Sequence, residues 1–267
     1  MAETIAEPKS TESKLRRIAV EASLGVARIV LRNPPLNVID IAMMEELAQA
    51  LDEIETRGDV SVVVLSGEGK AFSAGVDVAA HVPDKVREML TKFHRVVRSL
   101  AGSRKVTIAA VHAHCLGGGA ELAMVCDLVY TTDSAQWGFP EIKLGCYPPV
   151  ACALLGSLVE QRRGAEMILT GRTIDGREAA KIGLATAAVA ESELGPAVEE
   201  CVERLWKLSP VALALAKKAS STWEAMNFDR NLARAEQIYL EELMHTADAH
   251  EGVRAFMEKR EPKWMGK

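Results

Sequence analysis

Two carboxylates stand beside glycine turns rather than in charged surface runs. Glu121 lies in HCLGGGAELA, residues 114–123, and Glu141 follows Pro140 in QWGFPEIKLG, residues 136–145. A pair of carboxyl groups near apolar segments can act as general acid and general base, their pKa values pushed apart by their surroundings. Taken singly, Glu121 also suits a plainer role: a negative charge in the first turn of a helix stabilises its N-terminus by roughly 0.3–1 kcal/mol. Glu141 alone reads as a loop carboxylate. Three glycines, Gly117, Gly118 and Gly119, precede Glu121. Without Cβ atoms, their N–H groups can approach a ligand closely at a helix mouth, where the dipole favours negative charge. The same triplet also fits a tight strand-to-helix turn. A second turn-like stretch, AFSAGVD, spans residues 71–77.

Other reactive residue types carry less. His112 and His114 are expected two apart on one strand, sharing a face, with Cys115 and Cys126 nearby. No zinc spacing is completed, so the expectation is no metal and a pair of core or interface histidines. Cys115 has no identifiable activating partner and is expected to be a small buried thiol. The Lys217–Lys218 pair and the EKREPK run at 258–263 read as solvated faces with a chance of meeting phosphates.

The elements that must position these groups follow from periodicity. Ile18 and Val20, then Val26, Arg28 and Val30, alternate about a turn at Leu24-Gly25, which predicts a hairpin. Asp40 offers an N-cap to a helix whose Met44, Leu47, Leu51 and Ile54 recur at three and four until Gly58. Val60–Leu65 predicts a buried strand, Pro83 opens a helix carrying Val86, Leu90, Phe93, Val97 and Leu100, and Thr107–Val111 predicts another strand. LGGGAELAMVCD suits a buried helix, and Leu128–Thr132 returns as strand. Strands alternating with helices imply an α/β layered core with a largely parallel sheet. Beyond about residue 190 only helices are expected: one bearing Val198, Val202 and Leu205, one begun by Ser209-Pro210, one marked by Leu232, Ala235 and Tyr239, and one over 250–260. The expected division is a disordered leader at 1–14, a core at 15–195 and a helical region at 196–267 that packs on a neighbouring subunit.

Composition sets the outer bounds. The chain has 267 residues, 48% hydrophobic and 26% charged, which excludes disordered and collagen-like classes. A net charge of −5 gives no electrostatic support to nucleic-acid binding. Five cysteines, an odd number, suggest a reducing compartment with cytoplasm as the default. No apolar run reaches the ~18 residues needed to span a bilayer.

AFSAGVD, AHCLGGGAELAMVCDLVY and QWGFPEIKLG, in this order and spacing, resemble the crotonase superfamily of enoyl-CoA hydratases and isomerases. The likeness runs from NPPLNVID at 33–40 to EGVRAFMEKREPKW at 251–264. It implies a spiral of ββα units followed by a helical trimerisation region, hence a homotrimer or a dimer of trimers. It implies an acyl-CoA substrate, with coenzyme A part of that substrate and no separate cofactor. By that resemblance the N–H groups of Val76 and Gly118 form an oxyanion hole, and Glu121 and Glu141 are the two catalytic glutamates that handle the added water and the delivered proton. It also implies that Leu36, Ala74, Asp77 and Gly117 line the CoA and substrate site, with Phe256 and Lys259 closing over the nucleotide end. The segment CYPPVACALL at 146–155 departs from the family's glycine-rich continuation. There Pro148 and Pro149 remove backbone donors and stiffen a pocket wall, and the segment is most similar to hydratases of cyclic dienoyl-CoA thioesters. The NPPLNVID loop lacks the lysine often found there. Alternatives are a double-bond isomerase or thioester hydrolase on the same scaffold and, from another class, a noncatalytic CoA- or RNA-binding relative.

Overall fold

The computed structural model describes residues 15–23 and 25–267, with the main chain alone over 221–226. The expected leader at 1–14 and the turn residue Leu24 lie outside the described residues.

The chain opens with β1 (Ile18–Ser23) and β2 (Gly25–Leu31), paired antiparallel with Ile18 opposite Leu31, followed by α1 (Ile41–Thr56). Asp40 caps α1 by accepting the Met43 N–H, and Met43, Met44, Leu47, Leu51 and Ile54 form the buried face of this helix. The same order then recurs. β3 (Val60–Gly67) and β4 (Ala71–Ser73) precede α2 (Pro83–Gly102). β5 (Val106–Val111) and β6 (His114–Leu116) precede α3 (Gly118–Met124). β7 (Leu128–Thr132) and β8 (Gln136–Gly138) come next, followed by a 3-10 turn at Pro140–Leu144, α4 (Pro149–Val159) and α5 (Gln161–Thr170). β9 (Thr173–Asp175), α6 (Gly176–Lys181) and β10 (Ala187–Val189) complete the sheets.

Both strands of the first unit and the first strands β3, β5 and β7 of the later ones join one sheet, ordered β1-β2-β3-β5-β7-β10, and the short second strands β4, β6 and β8 join another with β9, ordered β4-β6-β8-β9. From β3 onward each unit therefore advances both sheets by one strand, which is the spiral. Every pairing from β2 to β10 in the larger sheet is parallel, and so are β4 with β6 and β6 with β8. β3 is buried over Val60–Leu65 on both faces, as expected for a strand inside a covered parallel sheet.

The helical end consists of α7 (Leu194–Trp206), α8 (Pro210–Glu241) and α9 (Ala247–Met257). α7 straddles the 195/196 division expected from the sequence, and its Val198, Cys201 and Val202 pack on Val26, Val62, Val64, Ile108 and Tyr130. It covers one face of the larger sheet, while the main core fills the other. The separate helices expected after Ser209-Pro210 and around Leu232 are one continuous helix, α8. No glycine or proline interrupts residues 211–241, so nothing in the covalent chain forces a break. Among the described residues no helix is long and apolar enough to cross a membrane.

Candidate active site

β4, β6 and β8 lie side by side and parallel, and the chemistry-bearing segments leave from their carboxyl ends. Val76 follows β4, Gly117 to Glu121 follow β6, and Glu141 follows β8. Ligands bind outside the carboxyl ends of strands in parallel sheets, and here one chamber is bounded by all three segments.

Ser73 and Asn37 hold the loop after β4. Ser73 Oγ donates to the Asn37 carbonyl at 2.7 Å and accepts the Gly75 N–H at 3.1 Å. Asn37 is itself buried, and its Nδ2 donates to the carbonyls of Glu68, Ala71 and Phe72. Ala74 N–H reaches the Leu36 carbonyl, Ile39 N–H the Gly75 carbonyl and Asp77 N–H the Ile39 carbonyl. The peptide N–H groups flanking Val76 are thus consumed, whereas Val76 N–H finds no backbone acceptor among the described residues. Gly118 opens α3, so its N–H has no partner one turn back. A Cβ on Gly118 would lie 2.6 Å from Val76 Cγ2 and 3.3 Å from Val76 N. Only glycine lets the two N–H groups come this close.

Gly117 N–H donates to the Gly138 carbonyl at 2.9 Å, tying the β6 exit to the β8 exit. Trp137, fully buried on β8, anchors that exit by donating Nε1–H to Thr131 Oγ1 at 3.0 Å. Glu121 Oε1 accepts the N–H groups of Val150 and Ala151 at 2.8 and 3.0 Å. The carboxylate therefore caps α4, a helix begun by Pro149, rather than serving only the N-terminus of its own helix. Glu141 Oε2 is buried without a hydrogen-bond partner among the described residues. Burial pushes Glu121 up to about 7, against the pull of the Ala151 and Val150 N–H groups. Burial and the charge of Glu121 push Glu141 up to about 8. Near neutrality the pair holds a proton to give and a site to receive one.

The chamber takes its apolar side from Val78, Met89, Leu90 and Phe93, and its stiff wall from Pro148 and Pro149. Tyr147 hydroxyl donates to the Ala235 carbonyl at 2.7 Å, pinning that wall to α8. Of the residues expected at the site, Ala74, Val76, Gly117, Gly118, Glu121, Glu141 and Pro149 meet here. Leu36 and Asp77 are outside the lining: the Leu36 carbonyl holds Ala74 N–H, and Asp77 caps the turn at 78–80. Phe256, in the last turn of α9, and Lys259, two residues past its end, are exposed and outside the chamber lining. α9 packs on the 140–144 turn and so supports Glu141 from behind.

Three departures from the sequence expectations are clear. His112 and His114 do not share a strand, because Ala113, at φ +48°, separates the end of β5 from the start of β6. Of the core and interface alternatives, the core one does not hold: His114 is exposed, and His112 pairs at the surface with the Gly69 carbonyl at 3.0 Å. His94, which carried no expectation, and Tyr239, expected only as part of a helix face, also line the chamber. A signal was available for His94, which falls between Leu90 and Val97 on the apolar stripe of α2. Cys115, by contrast, is a buried thiol that burial holds well above its ordinary pKa.

A family model described as enoyl-CoA hydratase/isomerase matches residues 21–267. A cyclohexa-1,5-dienecarbonyl-CoA hydratase of Thauera aromatica is 35% identical, over 96% of this chain and 98% of its own. Among solved structures, an enoyl-CoA hydratase from Mycobacterium avium subsp. paratuberculosis superposes with a TM-score of 0.86 at 27% identity, covering 94% of this chain and 99% of that one. An enoyl-CoA hydratase/isomerase from Xanthobacter autotrophicus gives 0.83 at 30% identity, over 92% and 98%.

Proposed function

This chain belongs to the enoyl-CoA hydratase/isomerase family of the crotonase superfamily, and from that premise we propose that it adds water across a conjugated double bond of an acyl-CoA thioester, with cyclic dienoyl-CoA as its acyl class. The observation that carries this reading is the pair Glu121 and Glu141, both raised toward neutral pH in one chamber that also receives Val76 and Gly118. The relative from Thauera aromatica and the rigid Pro148-Pro149 wall support the cyclic acyl class.

The thioester oxygen sits between the N–H groups of Val76 and Gly118. Preorganised donors of this kind are worth about 3 kcal/mol each when they hold the enolate better than the ground-state carbonyl. Ionised Glu121 takes a proton from water as the oxygen bonds to the β-carbon. The π electrons shift toward the α-carbon and the thioester oxygen, and Glu141, the carboxyl that stays protonated to higher pH, delivers its proton to the α-carbon. One water is consumed, and the protons balance: Glu121 has gained one and Glu141 has lost one. Ala74, Gly117 and Pro149 line the acyl and pantetheine path, with Leu36 and Asp77 holding the loop and Phe256 and Lys259 meeting the nucleotide end.

We further propose a cytoplasmic enzyme, which its five free cysteines support, assembled as a homotrimer or dimer of trimers. Exposed Trp206, Leu208, Val211 and Leu215, clustered along the chain at the α7–α8 junction, support assembly, and a monomer in equilibrium sedimentation at micromolar concentration would count against it. A panel of linear enoyl-CoA and cyclic dienoyl-CoA thioesters, followed by loss of the conjugated thioester absorbance, tests the activity. Faster turnover of cyclic dienoyl-CoA is expected, and turnover confined to linear substrates would remove the cyclic assignment.

A further inference from the structure

The chamber holds a basic group for which water addition has no use. His94 lies on α2 with its side chain fully buried, and it faces the chamber beside Phe93. Its Nδ1 stands 2.5 Å from Glu236 Oε1 on α8. The same Glu236 oxygen accepts Arg98 Nη2 at 3.2 Å, and Arg98 also pairs with Asp229. Burial works against the charge on Glu236, but His94 and then Arg98 outweigh it and hold the carboxyl below its ordinary range, so Nδ1, which faces this carboxylate, is the nitrogen that carries hydrogen. Burial meanwhile favours the neutral ring. A neutral imidazole protonated at Nδ1 presents a lone pair at Nε2, and that atom is buried with no partner among the described residues. Leaving a buried acceptor unmatched is costly, yet three charged side chains at the α2–α8 contact fix the ring in this pose. The arrangement suits a hydrogen-bond donor that arrives with the ligand.

We propose that His94 Nε2 accepts a hydrogen bond from a hydroxyl group carried by the acyl part of the thioester, so that the chamber selects hydroxylated acyl-CoA species. The inference rests on the acyl-CoA reading of the chamber and adds to it a polar anchor remote from the thioester oxygen. Glu236 and Arg98 act through His94 as positioning residues. A carbonyl or halogen at the same place offers no hydrogen to Nε2 and gains nothing from it.

The test is binding calorimetry with saturated thioesters that water addition or its reversal cannot turn over: cyclohexanecarbonyl-CoA against its ring-hydroxylated counterparts, one for each ring position beyond the β-carbon. At least one hydroxylated thioester is expected to bind about tenfold or more tighter than the unsubstituted one, the order set by a buried hydrogen bond made against one left unmade. His94→Leu should bring that ratio to about one. Glu236→Gln, which weakens the hold on the tautomer, should shrink the ratio without abolishing it, and it carries the test if His94→Leu does not fold. Equal binding of all the thioesters by the wild type would mean that solvent satisfies Nε2 and would overturn the proposal, as would a preference that survives both substitutions. If no thioester binds, including the unsubstituted one, it is the acyl-CoA reading itself that fails, and the hydroxyl anchor goes with it.

Discussion

A Cβ placed on Gly117 would stand 2.6 Å from Glu141 Oε1, so the backbone of the first glycine in the triplet and the second carboxylate are in direct contact. Gly117 also holds φ at +51°, a region that side chains rarely adopt. The glycine run is therefore required twice over, once by the turn into α3 and once by the space that Glu141 occupies.

Gly117→Ala is expected to displace Glu141 and lower kcat by about 10²-fold, the scale of losing one acid–base group, with a smaller change in KM. Gly58→Ala, where an added Cβ meets nothing within 4 Å, is the control and should retain wild-type kinetics. Steady-state kinetics of the two variants separate a local clash from a general effect of alanine.

Glu121→Gln and Glu141→Gln should each reduce turnover by at least about 10²-fold, with a native circular dichroism spectrum. The two differ in a second respect. Glu121 also caps α4 through Val150 and Ala151, and an uncharged amide oxygen accepts those N–H groups less strongly. Thermal melts should therefore place Glu121→Gln below Glu141→Gln.

Both carboxyls have folded-state pKa values above the ordinary 4.5, at about 7 and about 8. The folded chain then binds more protons than the unfolded chain between these limits, so stability is greatest below about pH 4.5 with respect to this pair and falls as pH rises toward 8. Urea unfolding across that window should show the decline, at roughly 1 kcal/mol per pH unit for each titrating proton. Glu141→Gln should flatten it. An equal slope in the variant would show that Glu141 is not the group titrating.

Asn37 bridges the loop after β2 to the segment around β4 and carries φ +52°. Asn37→Ala leaves buried carbonyls unpaired, at roughly 1–3 kcal/mol each, and a lowered urea midpoint with an unchanged m-value is the expected outcome. Turnover should fall as well, because without its Nδ2 hydrogen bonds residue 37 shifts, and with it the backbone carbonyl through which Ser73 holds Gly75 and Val76 in place.

Much of this site is legible in the sequence because its chemistry is local. Glu121 follows three glycines and Glu141 follows a proline, and each turn leaves the end of a short parallel strand whose neighbours are set by the ββα repeat. What is not legible is convergence across the chain. His94 and Glu236 are separated by 142 residues, and no spacing rule links a histidine on an apolar helix stripe to a carboxylate on the last long helix. The capping of α4 by Glu121 is hidden for the same reason, since a carboxylate in a first turn looks like a servant of its own helix. The error at α8 has another origin: a start at Ser209-Pro210 and a separate apolar face at Leu232, Ala235 and Tyr239 suggested two helices, yet the chain between them contains no breaker.

The most direct test of the account is the fate of solvent oxygen. Incubated with a cyclic dienoyl-CoA in ¹⁸O-labelled water, the wild-type enzyme should yield a hydroxyacyl-CoA with one labelled oxygen on the β-carbon and the thioester intact. A product isomeric with the substrate and free of label would make the chain an isomerase, and release of free coenzyme A with label in a carboxylate would make it a thioester hydrolase. Either result would contradict water addition by Glu121 and Glu141.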